Sequence, residues 1–174
     1  STATLYTGVG TGTLRIAPGI RQSTELLAAN LANFIGGAQT FDLQSRRDIA
    51  RLDVIYSPTR TIDLTFNLKH TIREGTQPYG AYLLQPIEVP APIDTRTTDL
   101  WTGLQWTKPK ARFSVAYQGS WFDNRVSTLI WDNPWRLTDS ATAGSSQGRM
   151  ALWPDNALQT VIMSGAITMP STMM

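Results

Sequence analysis

The feature that most constrains this chain is an unbroken alternation of apolar and polar residues within Thr61–Thr71. Every second residue from Ile62 to Leu68 is apolar, and the residues between them are polar. Successive side chains of a β-strand point to opposite faces, so this pattern predicts a strand with one apolar and one polar face. A helix would need apolar residues three or four positions apart.

A second alternating run precedes it over Asp48–Tyr56, and only Ser57-Pro58-Thr59 separates the two. Two alternating runs joined by so short a link predict a tight antiparallel hairpin. A second hairpin is predicted from Leu100–Trp106 and Phe113–Trp121, with its turn at Lys108-Pro109-Lys110.

A final run, Gln159–Met169, also alternates and stops before Pro170. The N-terminal residues Thr2–Ile16 predict one or two strands, and Ser23–Ile35 has the apolar stripe of a short helix. We therefore divide the single wall segment 1–174 as follows: N-terminal strand or strands plus a loop with a short helix, 1–46; hairpin, 47–71; hairpin, 96–123; long loop, 124–157; strand, 158–170.

The connections differ in length at the two ends of these strands. Short turns are predicted near Pro58 and Pro109, whereas long links run from about Ile72 to Arg96 and from about Asp123 to Ala157. Strands of about ten residues with short turns at one end and long loops at the other are typical of outer-membrane barrels. A soluble sandwich, with the apolar faces packed together, has the same periodicity and stays open as an alternative.

Composition excludes several classes of chemistry. The 174 residues contain no cysteine, which excludes disulfides, thiolate metal sites and the Cys-x-x-Cys-His haem attachment. The net charge of +2 gives no polybasic arm for nucleic acid, and no nucleic-acid partner is expected. No apolar run has the 18–20 residues of a membrane-spanning helix.

Candidate sites are correspondingly few. The single histidine, His70, ends a strand, and no nucleophile or orienting acid accompanies it in a recognisable motif. The carboxylates are scattered, and Asp132-Asn133 and Asp155-Asn156 suit turns better than calcium loops. The loop tryptophans Trp131, Trp135 and Trp153 could form a stacking platform, although rings buried under a folded loop are the favoured interpretation. No catalytic, metal or cofactor-binding residue is assigned.

The polar strand faces carry the main site prediction. In a barrel whose apolar faces meet lipid, these polar side chains would line the lumen or face a partner. The predicted residues are Arg51, Asp53, Asp63, Thr65, Asn67, Lys69, Arg112, Ser114 and Gln118.

Several phrases of the sequence occur in an order that resembles one family. They are Phe41–Asp48, Leu52–Thr59, Arg73–Gly80, Pro86–Asp94, Tyr117–Asn124, Trp131–Pro134 and Leu152–Asn156. Together they resemble the MtrB/PioB family of decahaem-associated outer-membrane proteins over roughly residues 40–170.

The resemblance implies an all-β fold of antiparallel up-and-down hairpins, part of a large transmembrane β-barrel in the bacterial outer membrane. In that family the barrel sheathes a multihaem c-type cytochrome, and electrons cross the membrane through the haems of the partner. The barrel protein itself binds no haem or other cofactor. Family members have about two dozen strands or more, whereas 174 residues accommodate about eight, so we expect the chain to be a fragment.

We therefore predict a non-enzymatic barrel wall that contacts outer-membrane lipid and scaffolds a multihaem cytochrome for extracellular electron transfer. The alternatives are a passive outer-membrane porin and a soluble β-sandwich binding module that uses the loop tryptophans. An enzyme that depends on His70 ranks last.

Overall fold

A computed structural model describes residues 2–16, 36–83, 86–142 and 144–169. Within these ranges the chain is built of β-strands joined by turns and loops. The strands are β1 Thr2–Thr4, β2 Tyr6–Thr7, β3 Thr13–Ile16, β4 Gln39–Phe41, β5 Gln44–Thr59, β6 Ile62–Tyr82, β7 Pro86–Lys108, β8 Ala111–Asn124, β9 Thr128–Asp132, β10 Gln147–Ala151 and β11 Asn156–Ile167. The helix predicted over Ser23–Ile35 lies outside the described residues.

The chain divides into two units. The wall unit comprises the described residues of Asp48–Ile72, Arg96–Asp123 and Asp155–Met174. The core unit comprises the described residues of Ser1–Arg47, Arg73–Thr95 and Asn124–Pro154.

The wall unit contains β11 and the parts of β5, β6, β7 and β8 that fall within its ranges, which form an antiparallel sheet in the order β11-β8-β7-β6-β5. Two-residue turns, Arg60-Thr61 and Pro109-Lys110, join β5 to β6 and β7 to β8. Strand β11 pairs with β8 without interruption, from Asn156 opposite Phe122 to Ile167 opposite Ala111. These strands form the antiparallel hairpins that the alternation predicts, and β5 and β11 are the edges of the described sheet.

The core unit has a conventional buried core. Its four-stranded sheet has the order β10-β9-β3-β2, with β9 and β10 antiparallel and β3 parallel to β9. The apolar side chains of Leu14, Leu129 and Val89 are fully buried, and Trp131 is 4% exposed. The ring of Trp131 lies where a Cβ at position 148 would stand, so this pair of strands requires Gly148.

A buried carboxylate ties three segments of the core unit together. Asp132 is 3% exposed, and its oxygens accept hydrogen bonds from Arg15 Nη1 (3.0 Å), the Ile16 amide (3.1 Å) and Gln147 Nε2 (3.0 Å). Its backbone carbonyl accepts a bond from Tyr6 Oη at 2.8 Å. A buried charge is stable only when it is paired in this way, so Asp132 fixes the N-terminal strands on the β9–β10 hairpin.

The loop between β9 and β10 is held by Asx-type bonds. Asn133 Oδ1 accepts a bond from the Trp135 amide at 2.9 Å, which confirms the turn interpretation for Asn133, whereas Asp132 ends β9. Asp139 Oδ1 accepts bonds from the Ser146 amide (2.7 Å) and Ser145 Oγ (3.3 Å). The Ser146 bonds, followed by the Ser145 bond, hold the pKa of Asp139 below its ordinary value of 3.8.

The link predicted between Ile72 and Arg96 is wrong, because β6 extends to Tyr82 and β7 begins at Pro86. The prolines suggested a loop, since proline cannot donate to a strand ladder. However, the positions of Pro86, Pro90 and Pro92 differ by even numbers. The backbone N–H groups that these prolines lack would therefore all lie on the same side of β7. The other side stays available for pairing with β6.

Four further boundaries differ from the prediction. The long loop 124–157 contains β9 and β10, whose alternating residues pack into the core of their unit. The turn predicted at Ser57-Pro58-Thr59 lies two residues later, because Pro58 is tolerated in β5, an edge strand. The last strand spans Asn156–Ile167, and Thr2–Ile16 forms three short strands rather than one or two.

Replacing Asp132 by alanine should loosen the core unit. The change leaves the buried Ile16 amide and the Gln147 amide without their acceptor, which costs about 2–4 kcal/mol. Hydrogen exchange of the β3 and β9 amides should therefore show a fall of that size in their opening free energy. Asp123→Ala, at an exposed position, is the control and should change it by less than about 0.5 kcal/mol. Equal protection in both variants would contradict the role of Asp132.

The Asp139 bonds should respond to acid in a defined direction. Because the pKa of Asp139 is lowered in the folded protein, its stabilising effect is complete above the ordinary pKa and disappears as the pH falls through the lowered value. The Ser146 amide should thus be protected from exchange near pH 7 and lose protection only in strong acid. Asp139→Ala should lack this protection at both pH values, and an unchanged Ser146 amide in that variant would refute the assignment.

Candidate functional site

The residues predicted to face a lumen or partner share one face of the wall unit. On β5 and β6 this face carries Arg51, Asp53, Asp63, Thr65, Asn67 and Lys69, and on β8 it carries Arg112, Ser114 and Gln118. Hydrogen bonds between neighbouring strands join five of these nine side chains to others on the same side of the sheet. We call it the polar face.

Its best-ordered part is a three-residue cluster on β5 and β6. Asp53 Oδ2 accepts a bond from Arg51 Nε at 2.6 Å, and Asp53 Oδ1 accepts one from Asn67 Nδ2 at 2.6 Å. Both oxygens of the carboxylate are therefore occupied. Because Arg51 and Asp53 neutralise each other, this part of the face is polar with little net charge.

Side-chain bonds continue across the rest of the polar face. Ser57 Oγ donates to Asp63 Oδ1 at 2.5 Å, and Arg112 Nη2 donates to Gln105 Oε1 at 2.9 Å. The hydroxyls of Ser114 and Ser164 lie 2.7 Å apart across β8 and β11. Such cross-strand pairs restrict the rotamers of the side chains that form them.

A shallow groove of about 270 Å³ crosses this face. Arg51, Asp53 and Asn67 line it together with Lys69 and Gln118. Two further lining residues, Asp99 and Trp101, were not among the predicted site residues. The alternation of β7 was the available signal, because it already assigns Trp101 to the side opposite the apolar residues of that strand.

The opposite face of the wall unit is apolar and open. Leu52, Val54, Phe113 and Val161 are each more than 40% exposed, and Phe66 is 37% exposed. A β-sandwich would bury this face against a second sheet. The wall unit does not do so, and the sandwich alternative is therefore wrong for the described residues.

At the other candidate sites, the described residues form neither a catalytic arrangement nor a metal site. His70 Nδ1 lies 2.9 Å from Thr98 Oγ1 on the neighbouring strand, which is a structural hydrogen bond. No group of three or more histidine, aspartate or glutamate residues stands close enough to hold a metal in the ranges described.

The loop tryptophans do not act as one platform. Trp131 is buried, Trp135 is half-buried, and Trp153 is 52% exposed. The buried-ring interpretation therefore holds for Trp131. Trp153 instead lines an open groove with Tyr79 and Met150.

Long antiparallel strands with one exposed apolar face and one hydrogen-bonded polar face define the wall of a membrane-spanning β-barrel. In the described part of the chain, no helix is long and apolar enough to cross a bilayer.

Residues 1–174, the whole chain, match the family described as "Putative outer membrane beta-barrel porin, MtrB/PioB". The chain belongs to this family, and its location is the bacterial outer membrane. Among curated proteins, none matches the chain. The family assignment confirms the resemblance seen in the sequence and points to a non-enzymatic role.

Substitution by arginine should reduce the stability of the protein by different amounts on the two faces. Leu64 and Thr65 are neighbours in β6 on the apolar and polar faces, respectively. Leu64→Arg places a charge in lipid and should destabilise the protein in vesicles by about 2–4 kcal/mol, measured by urea titration. Thr65→Arg is the matched control and should cost less than about 1 kcal/mol. Equal losses would show that the apolar face does not meet lipid.

Proposed function

We propose that this wall belongs to a barrel that holds a multihaem c-type cytochrome and so supports electron transfer across the outer membrane. The observation that carries the proposal is the polar face, where six of the nine predicted side chains form side-chain hydrogen bonds. A preorganised polar surface loses little side-chain entropy when a partner covers it. The apolar face is left for lipid.

The proposal divides the chemistry between two proteins. The chain supplies no cofactor and no catalytic residue, and the haem belongs to the cytochrome. The sequence contains no cysteine for covalent haem attachment and only one histidine for axial ligation. The barrel would provide an insulating sheath, which keeps the charged cytochrome out of the hydrocarbon and the haems in one path.

Lys69 is the polar-face residue best suited to contact the partner. It lies in the groove near Asp99 and Trp101, and its side chain is exposed. Arg51 and Asp53 already satisfy each other, whereas the Lys69 ammonium has no hydrogen bond or ion pair among the described residues, which leaves its three donors for acidic groups or haem propionates on the partner surface.

Charge reversal at Lys69 should weaken the complex. In Lys69→Glu, the amount of haem that co-purifies with the barrel protein in mild detergent should fall at least about fivefold, equivalent to roughly 1 kcal/mol. The ratio of Soret absorbance to barrel protein on a gel measures this quantity.

The control is Arg149→Glu, an equal charge change at an exposed position of β10 in the core unit. It should retain the haem ratio of the unaltered protein. Equal haem loss in both variants, or no haem with the unaltered protein, would contradict the proposed contact.

A passive porin is the second candidate, and the family description itself favours it. The polar face would then line an open aqueous channel. Planar bilayers distinguish the two functions, because an open porin conducts ions without a partner. A filled sheath should conduct only after the cytochrome has been removed.

A further inference from the structure

The tight-turn end of the wall unit carries a group of basic residues on two adjacent hairpins. Arg60 lies in the β5–β6 turn, Lys110 lies in the β7–β8 turn, and Lys108 ends β7. All three side chains are exposed. We call these three residues and Trp106 the turn collar.

Backbone hydrogen bonds hold the two turns side by side. The Thr107 amide donates to the Thr61 carbonyl at 2.8 Å, which joins the residues next to Lys108 and Arg60. The Thr168 amide donates to the Lys110 carbonyl at 2.9 Å, so the residue that follows β11 is bonded to the same turn. The positive charges of the collar are therefore fixed at one end of one sheet.

The position of Trp106 indicates which face of the sheet this part of the collar belongs to. Lys108 Nζ lies 5.4 Å from the centre of the Trp106 ring, within the range of a cation–π contact. Trp106 shares the apolar face with Leu104, since the two residues are two positions apart in β7. A tryptophan with a lysine above it, at the end of a lipid-facing strand, is the arrangement expected where hydrocarbon meets headgroups.

Charge is also segregated along the wall unit. The three charged residues of the collar are all basic, and the one acid within three sequence positions of them, Asp63, is on the polar face and bonded to Ser57. Toward the other end of the same unit aspartates outnumber basic residues. The aspartates there are Asp48, Asp53, Asp99, Asp123 and Asp155, and the basic residues are Arg51, Lys69 and Arg96. A segregated charge of this kind selects an oppositely charged surface.

We propose that the turn collar binds the phosphate groups of anionic glycerophospholipids at the membrane surface nearest the tight turns. The inference rests on the outer-membrane location and is independent of the proposed cytochrome contact. Lipid is favoured over a protein partner because Trp106 and Lys108 belong to the apolar face, which is turned away from the lumen. Short turns lie on the periplasmic side of such barrels, where the leaflet consists of glycerophospholipid.

Brominated lipids test the proposal in vesicles that contain the purified protein. The fluorescence of Trp106 is obtained as the difference between the unaltered protein and Trp106→Phe. At equal mole fraction, brominated phosphatidylglycerol should quench this difference about three- to fivefold more effectively than brominated phosphatidylcholine. The preference should decrease as salt is raised.

Charge-removing and charge-keeping variants complete the test. Lys108→Gln with Lys110→Gln should bring the two lipids to equal quenching, whereas Lys108→Arg with Lys110→Arg should retain the preference. Arg149→Gln, with the same loss of charge in the core unit, should also retain it. Equal quenching by both lipids in the unaltered protein would overturn the proposal, as would a preference that persists in the double glutamine variant. If the collar bound a protein partner instead, the two brominated lipids would quench the unaltered protein equally.

Discussion

The backbone hydrogen bonds of the wall unit are the constraint on which the rest of the structure depends. In hydrocarbon no water can satisfy a peptide group, so each strand must pair with a neighbour on both sides. Pairing fixes the pleat, and the pleat turns every period-2 pattern in the sequence into two chemically different faces. The edges of the described sheet, β5 and β11, need partner strands for the same reason. The wall is therefore part of a closed barrel and does not stand alone in the membrane.

The strands whose structure depends only on strand pairing and the pleat could be predicted from the sequence. The Asp48–Tyr56, Leu100–Trp106 and Phe113–Trp121 runs lie within strands of the two hairpins, as does the Thr61–Thr71 run apart from Thr61, which is in the turn. The side of the sheet on which each polar-face residue lies follows from the same constraint, since alternation assigns each residue to a side of its strand. Asp99 and Trp101 follow the same rule but had no individual signal of function.

Prediction failed where long-range contacts override local preference. The prolines of β7 suggested a loop, but their even spacing leaves one side of the strand able to pair. Strands β9 and β10 are short, and their stability comes from core contacts among Leu14, Leu129 and Trp131. Leu14 is far from the other two residues in sequence, so no local pattern indicates that the three residues share a core. The bonds between Asp132, Arg15 and Gln147 join residues more than 100 positions apart or on opposite strands, and no spacing rule identifies them.

The absence of cysteine from the chain permits the most direct test of the central claim, that one face of the wall meets lipid and the other faces a partner-filled lumen. Single cysteines at successive positions from Ile62 to Lys69 would carry a nitroxide spin label in the vesicle-embedded complex. The account predicts that oxygen accessibility is high at even positions and low at odd ones, and that removal of the cytochrome makes the odd positions accessible to a water-soluble relaxant. Accessibility without a period of two, or odd positions unchanged by removal of the haem protein, would contradict it.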